Sequence, residues 1–372
     1  MKSWDIFCRV IDNYGDIGVC WRLARQLANE YPFQIRLFVD ELAALKMIWP
    51  ETELIRHQTL AKVEVHHWTE DFLDTKPADV VIEAFACDIP QSYIATMELM
   101  KSKGQAPVWI NLDYLSAEPW VEDCHKMQSI QPASGLRKTF FFPGFTDKTG
   151  GLIREKDITS TPRVTPLANP PYDPPNFDTP LLVSLFAYEN QAVASLIEAW
   201  QKGPQKIHCL IPQGRAMKSI NPLLASPLVA GQPQALGALT LETIPFMNQL
   251  EYDQLLKRCD LNFVRGEDSL VRAIWAGTPF VWQIYPQEED AHLVKLEAFL
   301  EQYTQAMPDE LKQSIKHFWL SWNKQQSVFD DWNRLNQYFN QWVSGNSEWR
   351  LLQVKRKDLV GQLVEFVGNS TV

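Results

Sequence analysis

Between Thr159 and Pro180 the chain places Pro162, Pro166, Pro170, Pro171, Pro174, Pro175 and Pro180. Proline fixes φ and lacks an amide donor, so neither a helix nor a central strand passes through such a stretch. It reads as an extended linker between two halves. On each side of it, short apolar runs alternate with helical patterns, which implies parallel sheets with helices on both faces. A length of 372 residues suits two domains, each able to bury its own core. The expected organisation is an N-terminal α/β domain (1–155), a proline-rich linker (156–180), a C-terminal α/β domain (181–345) and a C-terminal helix (346–372) able to pack back on the first domain. The active site is expected in a cleft between the halves.

Composition removes several classes. A formal net charge of −10 argues against a nucleic-acid binder and suits a cationic partner. No apolar run approaches the ~18 residues that span a membrane, and the N-terminus lacks a signal-peptide pattern, so a cytoplasmic protein is expected. The six cysteines (Cys8, Cys20, Cys87, Cys124, Cys209, Cys259) lie far apart, several inside apolar runs, and read as buried free thiols. His66-His67 is the single histidine cluster, with no third ligand near it in sequence; it reads as a strand-end pair without metal. Fourteen tryptophans point to large apolar contacts or stacking surfaces.

The first half opens on an apolar run, Ile6-Phe7-Cys8 then Val10-Ile11, too short for a helix and read as a buried strand. Asp12-Asn13-Tyr14-Gly15-Asp16 breaks it, and from Ile17 the apolar residues Val19, Leu23 and Leu27 recur at helical spacing. The loop can be read as a dinucleotide turn, since Asn13-x-Gly15-x-x-Gly18 lacks only the first glycine of that pattern and Asp40 follows. Two carboxylates beside a pyrophosphate count against this. They suit instead a bound cation or a nucleophile that must lose a proton. In a third reading, Asp16 caps the helix and Asp12 sits in a turn. Further strands are expected at Gln34–Val39, Val63–His67, Asp79–Phe85 and Ala106–Asn111, with helices at Glu41–Ile48, capped by Asp40, and Gln91–Lys103. In a parallel sheet Asp12, Glu83 and Asp113 should then converge on one acidic rim.

In the second half, a strand ending at Val264 is followed by Arg265-Gly266-Glu267-Asp268-Ser269, with Gly266 as the turn and Glu267 or Asp268 starting a helix. Such a helix start, with Arg265 and Ser269 beside it, can hold a diphosphate through amides, hydroxyl and macrodipole. Glu267 is too acidic to face phosphate and suits sugar hydroxyls; a capping motif explains the glycine and Asp268 equally well. Two aromatic stretches, around Phe186 and Tyr188 and around Phe246, could floor a base, where stacking is worth ~1–3 kcal/mol. Core packing is the competing reading for each ring.

Asp12-Asn13-Tyr14-Gly15-Asp16-Ile17-Gly18-Val19-Cys20-Trp21-Arg22, Asn111-Leu112-Asp113-Tyr114-Leu115-Ser116, Arg265-Gly266-Glu267-Asp268-Ser269 and Ala276-Gly277-Thr278-Pro279-Phe280-Val281-Trp282 together resemble the bacterial protein-arginine rhamnosyltransferases, the EarP family, which mature translation elongation factor P. The resemblance runs over essentially the whole chain. It implies a GT-B architecture of two facing Rossmann-like domains. It also implies dTDP-β-L-rhamnose as donor, bound by the C-terminal domain, inversion at the anomeric carbon, and no metal or other cofactor. The implied acceptor is one arginine in a loop tip of the N-terminal domain of elongation factor P. By the same resemblance Asp12 is the general base, Asp16 positions the guanidinium and Glu267 is the donor-side acid. Phe186, Tyr188, Phe246, Asp268 and Ser269 match nucleotide or diphosphate contacts, with Asn190, Gln249, Arg265 and Gly266 completing the donor set. Asn13, Tyr14, Gly15, Asp113 and Tyr114 form the acceptor set.

The chemistry of the residues agrees with this. A guanidinium, with pKa above ~12, is a poor nucleophile until carboxylates orient it and take a proton. Two alternatives remain open at this point: a GT-B enzyme for another nucleotide sugar or acceptor, and a nucleotide-binding protein without turnover.

Overall fold

The computed structural model describes residues 2–11, 14–72, 75–158, 179–287 and 290–370. The first part of the chain contains β1 (Ser3–Cys8), α1 (Gly15–Glu30), β2 (Gln34–Val39), α2 (Leu42–Ile48), β3 (His57–Leu60), β4 (Val63–His67), β5 (Val80–Ala84), α3 (Gln91–Ser102), β6 (Val108–Leu112), α4 (Trp120–Cys124), β7 (Gln128–Ile130) and β8 (Arg137–Phe141). The second contains β9 (Leu181–Leu185), α5 (Val193–Lys202), β10 (Ile207–Pro212), α6 (Met217–Ile220), β11 (Gln234–Leu236), β12 (Leu239–Ile244), α7 (Gln249–Arg258), β13 (Leu261–Arg265), α8 (Gly266–Ala276) and β14 (Phe280–Gln283). Helices α9 (Ala291–Tyr303), α10 (Asp309–Asn323), α11 (Phe329–Asn336), α12 (Phe339–Lys355) and α13 (Leu359–Ser370) follow. The chain divides into two compact units, residues 1–158 with 356–372, and residues 159–355. The proline-rich linker read at 156–180 falls almost wholly outside the described residues.

Unit 1 is built on an eight-stranded sheet of order β3-β4-β2-β1-β5-β6-β8-β7. Its interior pairings are parallel, and only the outermost strands, β3 and β7, run antiparallel to their neighbours. Alternation along the strands sorts side chains to two buried faces. Trp4, Ile6, Leu37, Val65 and Ile82 pack with Ile17, Trp21, Leu23 and Leu27 of α1, and with Leu359, Val360, Leu363 and Val367 of α13. Phe7, Phe38, Val81 and Trp109 face the other way, toward Tyr93 and Met97 of α3. On that second face Asp5 is fully buried. Its carboxylate holds Arg36 through two hydrogen bonds of 2.6 and 2.7 Å and accepts others from the Ala78 amide and the Tyr93 hydroxyl.

Unit 2 carries a six-stranded sheet of order β11-β12-β10-β9-β13-β14, parallel except at β11. Its core explains much of the tryptophan content. Phe263 on β13 meets Trp200 of α5 and Trp322 of α10 edge-on, at 5.8 and 5.0 Å between ring centroids. Trp200, Trp319, Trp322 and Trp342 have no exposed surface. Helix α12 runs from Phe339 to Lys355 without a break at 345, and α13 begins at Leu359.

Three local expectations are corrected. Strand β1 ends at Cys8, where its pairing with Val39 stops, and Ile11 is 69% exposed instead of buried. Helix α2 is capped by Glu41, whose side chain accepts from the Ala43 amide, while Asp40 turns back to accept from Val10 N–H at 2.9 Å. Glu83 does not stand on an open acidic rim. It lies inside β5, 2% exposed, hydrogen-bonded to Trp109 Nε1 at 3.1 Å and paired with Lys138 Nζ at 3.0 Å.

Candidate active site

In unit 1 the site residues gather where β1 hands over to α1. The helix begins at Gly15 with Tyr14 in the cap position, and Tyr14 makes no side-chain capping bond. Asp16 is therefore not the cap. It sits in the first turn, 3% exposed, and its Oδ2 accepts from the Ile11 amide at 2.8 Å. The carboxylate thus ties the Ile11 backbone to the first turn of the helix. Its Oδ1 lies 3.4 Å from the Tyr114 hydroxyl, although Tyr114 is 98 positions further along the chain. Tyr114 is held flat against Phe85, centroids 4.4 Å apart at 15°. Asp113 accepts from the Tyr114 amide at 2.8 Å and from Asn111 Nδ2 at 3.3 Å, which fixes the turn after β6. Tyr14, Gly15 and Asp16 at the start of α1 thus lie beside Asp113 and Tyr114, which follow the carboxyl end of β6. Asp12 and Asn13 lie outside the described residues.

Beneath this loop Cys8 and Cys20 are buried. The Cys8 thiol is held well above its ordinary value, first by its hydrogen bond with Cys20, then by burial, with Asp16 and Asp40 adding to the effect. A thiol in that setting stays protonated and is no nucleophile.

In unit 2 the corresponding end of β13 carries the second cluster. Gly266 takes φ +64°, a left-handed conformation that glycine adopts without cost, and so turns the strand directly into α8. The helix begins at Gly266, ahead of the expected start at Glu267 or Asp268. Ser269 Oγ accepts from the Arg265 amide at 3.0 Å and donates back to the Arg265 carbonyl, bracing the turn. The Arg265 side chain is 8% exposed and lies over two rings, 4.3 Å from the Phe186 centroid and 4.7 Å from that of Tyr188. Its Nη1 also donates to the Ala187 carbonyl at 3.3 Å. Gln249 is buried at the start of α7 and reaches Asp268 Oδ2 with its amide nitrogen at 3.4 Å. Glu267 pairs with Lys295 of α9, 2.9 Å between Oε1 and Nζ. Phe246 is half-buried between β12 and α7.

One expected donor residue has a different position. Asn190 is 2% exposed and its side chain is engaged in holding the fold. Its Nδ2 donates to the Trp322 carbonyl at 2.9 Å and its Oδ1 accepts from the Ala192 amide at 2.8 Å. Other residues join the cluster that sequence reasoning did not select. The Tyr252 ring packs against Phe186 at 5.2 Å, and burial, above all, raises its phenol well beyond the ordinary value. Tyr252 follows the Asn248 cap by one helical turn, a spacing visible in the sequence. Arg215 stacks on Tyr188 at 5.0 Å and bonds Glu189 at 2.5 Å, while Gln283 accepts from the Tyr188 amide at 2.9 Å. Lys295, Arg215 and Gln283 come from distant elements and left no local signal.

Comparison with known proteins matches the chain over essentially its whole length. The family model described as "Elongation-Factor P (EF-P) rhamnosyltransferase EarP" matches residues 4–368. A protein-arginine rhamnosyltransferase of Pseudomonas putida is 44% identical over 379 residues, covering 99% of each chain. A solved structure described as the structural basis for EarP-mediated arginine glycosylation of translation elongation factor EF-P is 31% identical. It has a TM-score of 0.67 over the whole of both chains. The glycosyltransferase VinC, solved in complex with DTDP, shares the fold alone, with 10% identity and a TM-score of 0.54 over 99% of each chain. Among the described residues, no helix is long and apolar enough to cross a membrane.

Proposed function

The chain belongs to the EarP family of elongation factor P rhamnosyltransferases, and from that premise we propose that it moves L-rhamnose from dTDP-β-L-rhamnose to an arginine side chain in the N-terminal domain of translation elongation factor P, inverting the anomeric carbon. The observation that carries the donor side is Arg265, a buried cation held between Phe186 and Tyr188 at the head of α8. A nucleoside diphosphate presents a flat base and a dianionic tail, and these groups offer rings, a guanidinium and helix-start amides to match. In this reading Phe246 and Gln249 border the nucleotide, Asp268 and Ser269 lie at the diphosphate, and Gly266 lets the backbone approach it. Arg265 also stabilises the charge that grows on the leaving diphosphate.

On the acceptor side the substrate guanidinium carries its proton and must be oriented before it can attack. Asp16 supplies a fixed carboxylate, braced by Ile11 and close to Tyr114, to grip the N–H groups on one side. Asp12 takes a proton from the attacking nitrogen as the bond to the sugar forms. Asn13, Tyr14, Gly15, Asp113 and Tyr114 shape the surroundings of that nitrogen. Glu267 supplies negative charge near the sugar as positive charge develops on it. Inversion needs one displacement and no covalent intermediate, and no metal enters the transfer. An acceptor that works in translation places the reaction in the cytoplasm.

The test is intact-mass analysis of elongation factor P after incubation with the protein and dTDP-β-L-rhamnose. One deoxyhexose increment, mapped to a single arginine, is expected. An unmodified acceptor, or equal transfer from an unrelated nucleotide sugar, overturns the proposal.

A further inference from the structure

The edge of the unit 1 sheet brings together three ligating side chains that the transfer reaction does not use. His57 on β3 stands directly opposite His66 on β4, and Glu64 lies two residues before His66 on the same face. One ligand atom from each residue falls within 4.8 Å of the other two. The two imidazole centroids are 4.6 Å apart, and Glu64 Oε2 is 3.8 Å from His66 Nε2. That nitrogen is shielded from solvent and makes no hydrogen bond. The His66 ring is set by stacking on Phe38, 4.9 Å away at 24°. Arg36, the nearby positive charge, is drawn toward Asp5 by its two short hydrogen bonds.

We propose that His57, Glu64 and His66 form a binding site for one zinc ion, which clips the edge strand β3 to β4. Two imidazoles and a carboxylate are a zinc donor set, leaving a fourth position for water. Magnesium and calcium demand more oxygen ligands than the site offers. Zinc bonds of about 2.0–2.1 Å in a tetrahedron put ligand atoms roughly 3.3 Å apart. Rotation of the exposed His57 side chain can bring its nitrogen in without moving the backbone. The trio shares a face with Arg36 and Phe38, opposite the face that packs on α1, so the ion has no part in the chemistry at Asp16. The sequence reading paired His66 with His67 and passed over Glu64, two residues before His66. The structure adds Glu64 from the same strand and His57 from the facing one, while His67 points to the other face and meets the Asp40 carbonyl at 3.1 Å.

The test is calorimetric titration of the full-length, tag-free protein with zinc chloride, alongside thermal melts with and without zinc. One ion per chain is expected, with a higher melting temperature when zinc is present. His57→Ala and Glu64→Gln should each weaken binding at least roughly ten-fold, with zinc-free melts like that of the unmodified protein. No binding at millimolar zinc, several equivalent weak sites, or unchanged affinity in both variants overturns the proposal. Because this readout is independent of rhamnose transfer, its failure leaves the proposed reaction standing.

Discussion

Lys295 Nζ lies 2.9 Å from Glu267 Oε1, so the carboxylate proposed to face the sugar is held from behind by a cation on the next long helix. Both side chains retain some exposure, 16% and 18%, so the pair contributes about 1 kcal/mol at most to stability. Its main effect is on where the carboxylate stands. Glu267→Ala is expected to lower kcat by roughly 10²–10³-fold, the scale of a lost preorganised charge. Lys295→Gln should lower it by about ten-fold with less than ~1 kcal/mol lost in stability. Steady-state transfer assays with thermal melts check both, and an unaltered kcat in Lys295→Gln removes the positioning role.

Asp16 offers a cleaner separation of structure from chemistry. Asp16→Ala strands the Ile11 amide, which costs ~1–3 kcal/mol, and abolishes transfer. Asp16→Asn keeps an oxygen for Ile11 and should fold nearly as well, within about 1 kcal/mol, yet lose most activity because the charge is gone. Tyr114→Phe removes the hydroxyl and its 3.4 Å contact to Oδ1 and should reduce transfer a few-fold. Urea unfolding and single-turnover kinetics distinguish these outcomes. If Asp16→Asn transfers rhamnose at the original rate, the carboxylate serves the loop alone.

Arg265 is expected to govern nucleotide retention. Arg265→Met preserves bulk between Phe186 and Tyr188 but removes the charge, and should weaken dTDP binding by about 1.5–3 kcal/mol, the scale of a hydrogen bond to a charged group. Arg265→Lys should recover little, because an ammonium neither stacks as a plane nor presents a fork. Calorimetric titration with dTDP measures this directly; equal affinity across the three proteins excludes Arg265 from the donor site.

The folded protein should lose stability below neutral pH partly through His125. Its Nδ1 accepts from the Phe142 amide at 3.1 Å, so a doubly protonated ring would turn a donor toward a donor. Burial first, and Lys126 second, lower its pKa from 6.5 to about 4. The unfolded chain therefore binds this proton before the folded one does. The stabilisation is whole above about 6.5 and drains away as pH falls toward about 4. His125→Gln keeps an acceptor without a titrating group. Between pH 7 and pH 5 the parent protein should lose about 2 kcal/mol more than this variant, read from urea midpoints.

The order of the elements was largely legible in the sequence, because a parallel sheet buried on both faces writes itself as continuous apolar runs. Val80 to Ala84 and Leu261 to Arg265 are such runs, and the matching strands lie where they were expected. The short antiparallel strands β3, β7 and β11 were not legible. Being at or near sheet edges, His-Gln-Thr-Leu, Gln-Ser-Ile and Gln-Ala-Leu carry no two-faced apolar signature. The candidate site divides in the same way. Asp16 and the Arg265–Ser269 turn could be picked out because a strand end, a glycine and a helix start are adjacent in the chain. Tyr114 beside Asp16, Lys295 beside Glu267 and Arg215 on Tyr188 are pairings across long stretches of chain, and no local pattern records them. Asn190 is the opposite case: a polar residue just past a strand looks like a ligand contact, and in the fold its amide is tied to Trp322 and Ala192.

Helix α13 lies against α1, and Gln26 of α1 hydrogen-bonds Asp358 across 332 positions of sequence. A ribosome must therefore finish the whole of unit 2 before the first unit can seal its own interior. Until Leu359, Val360, Leu363 and Val367 arrive, the outer side of α1 stays open to water, and to chaperones that recognise apolar surface. The half of the protein that is made first is the half that matures last.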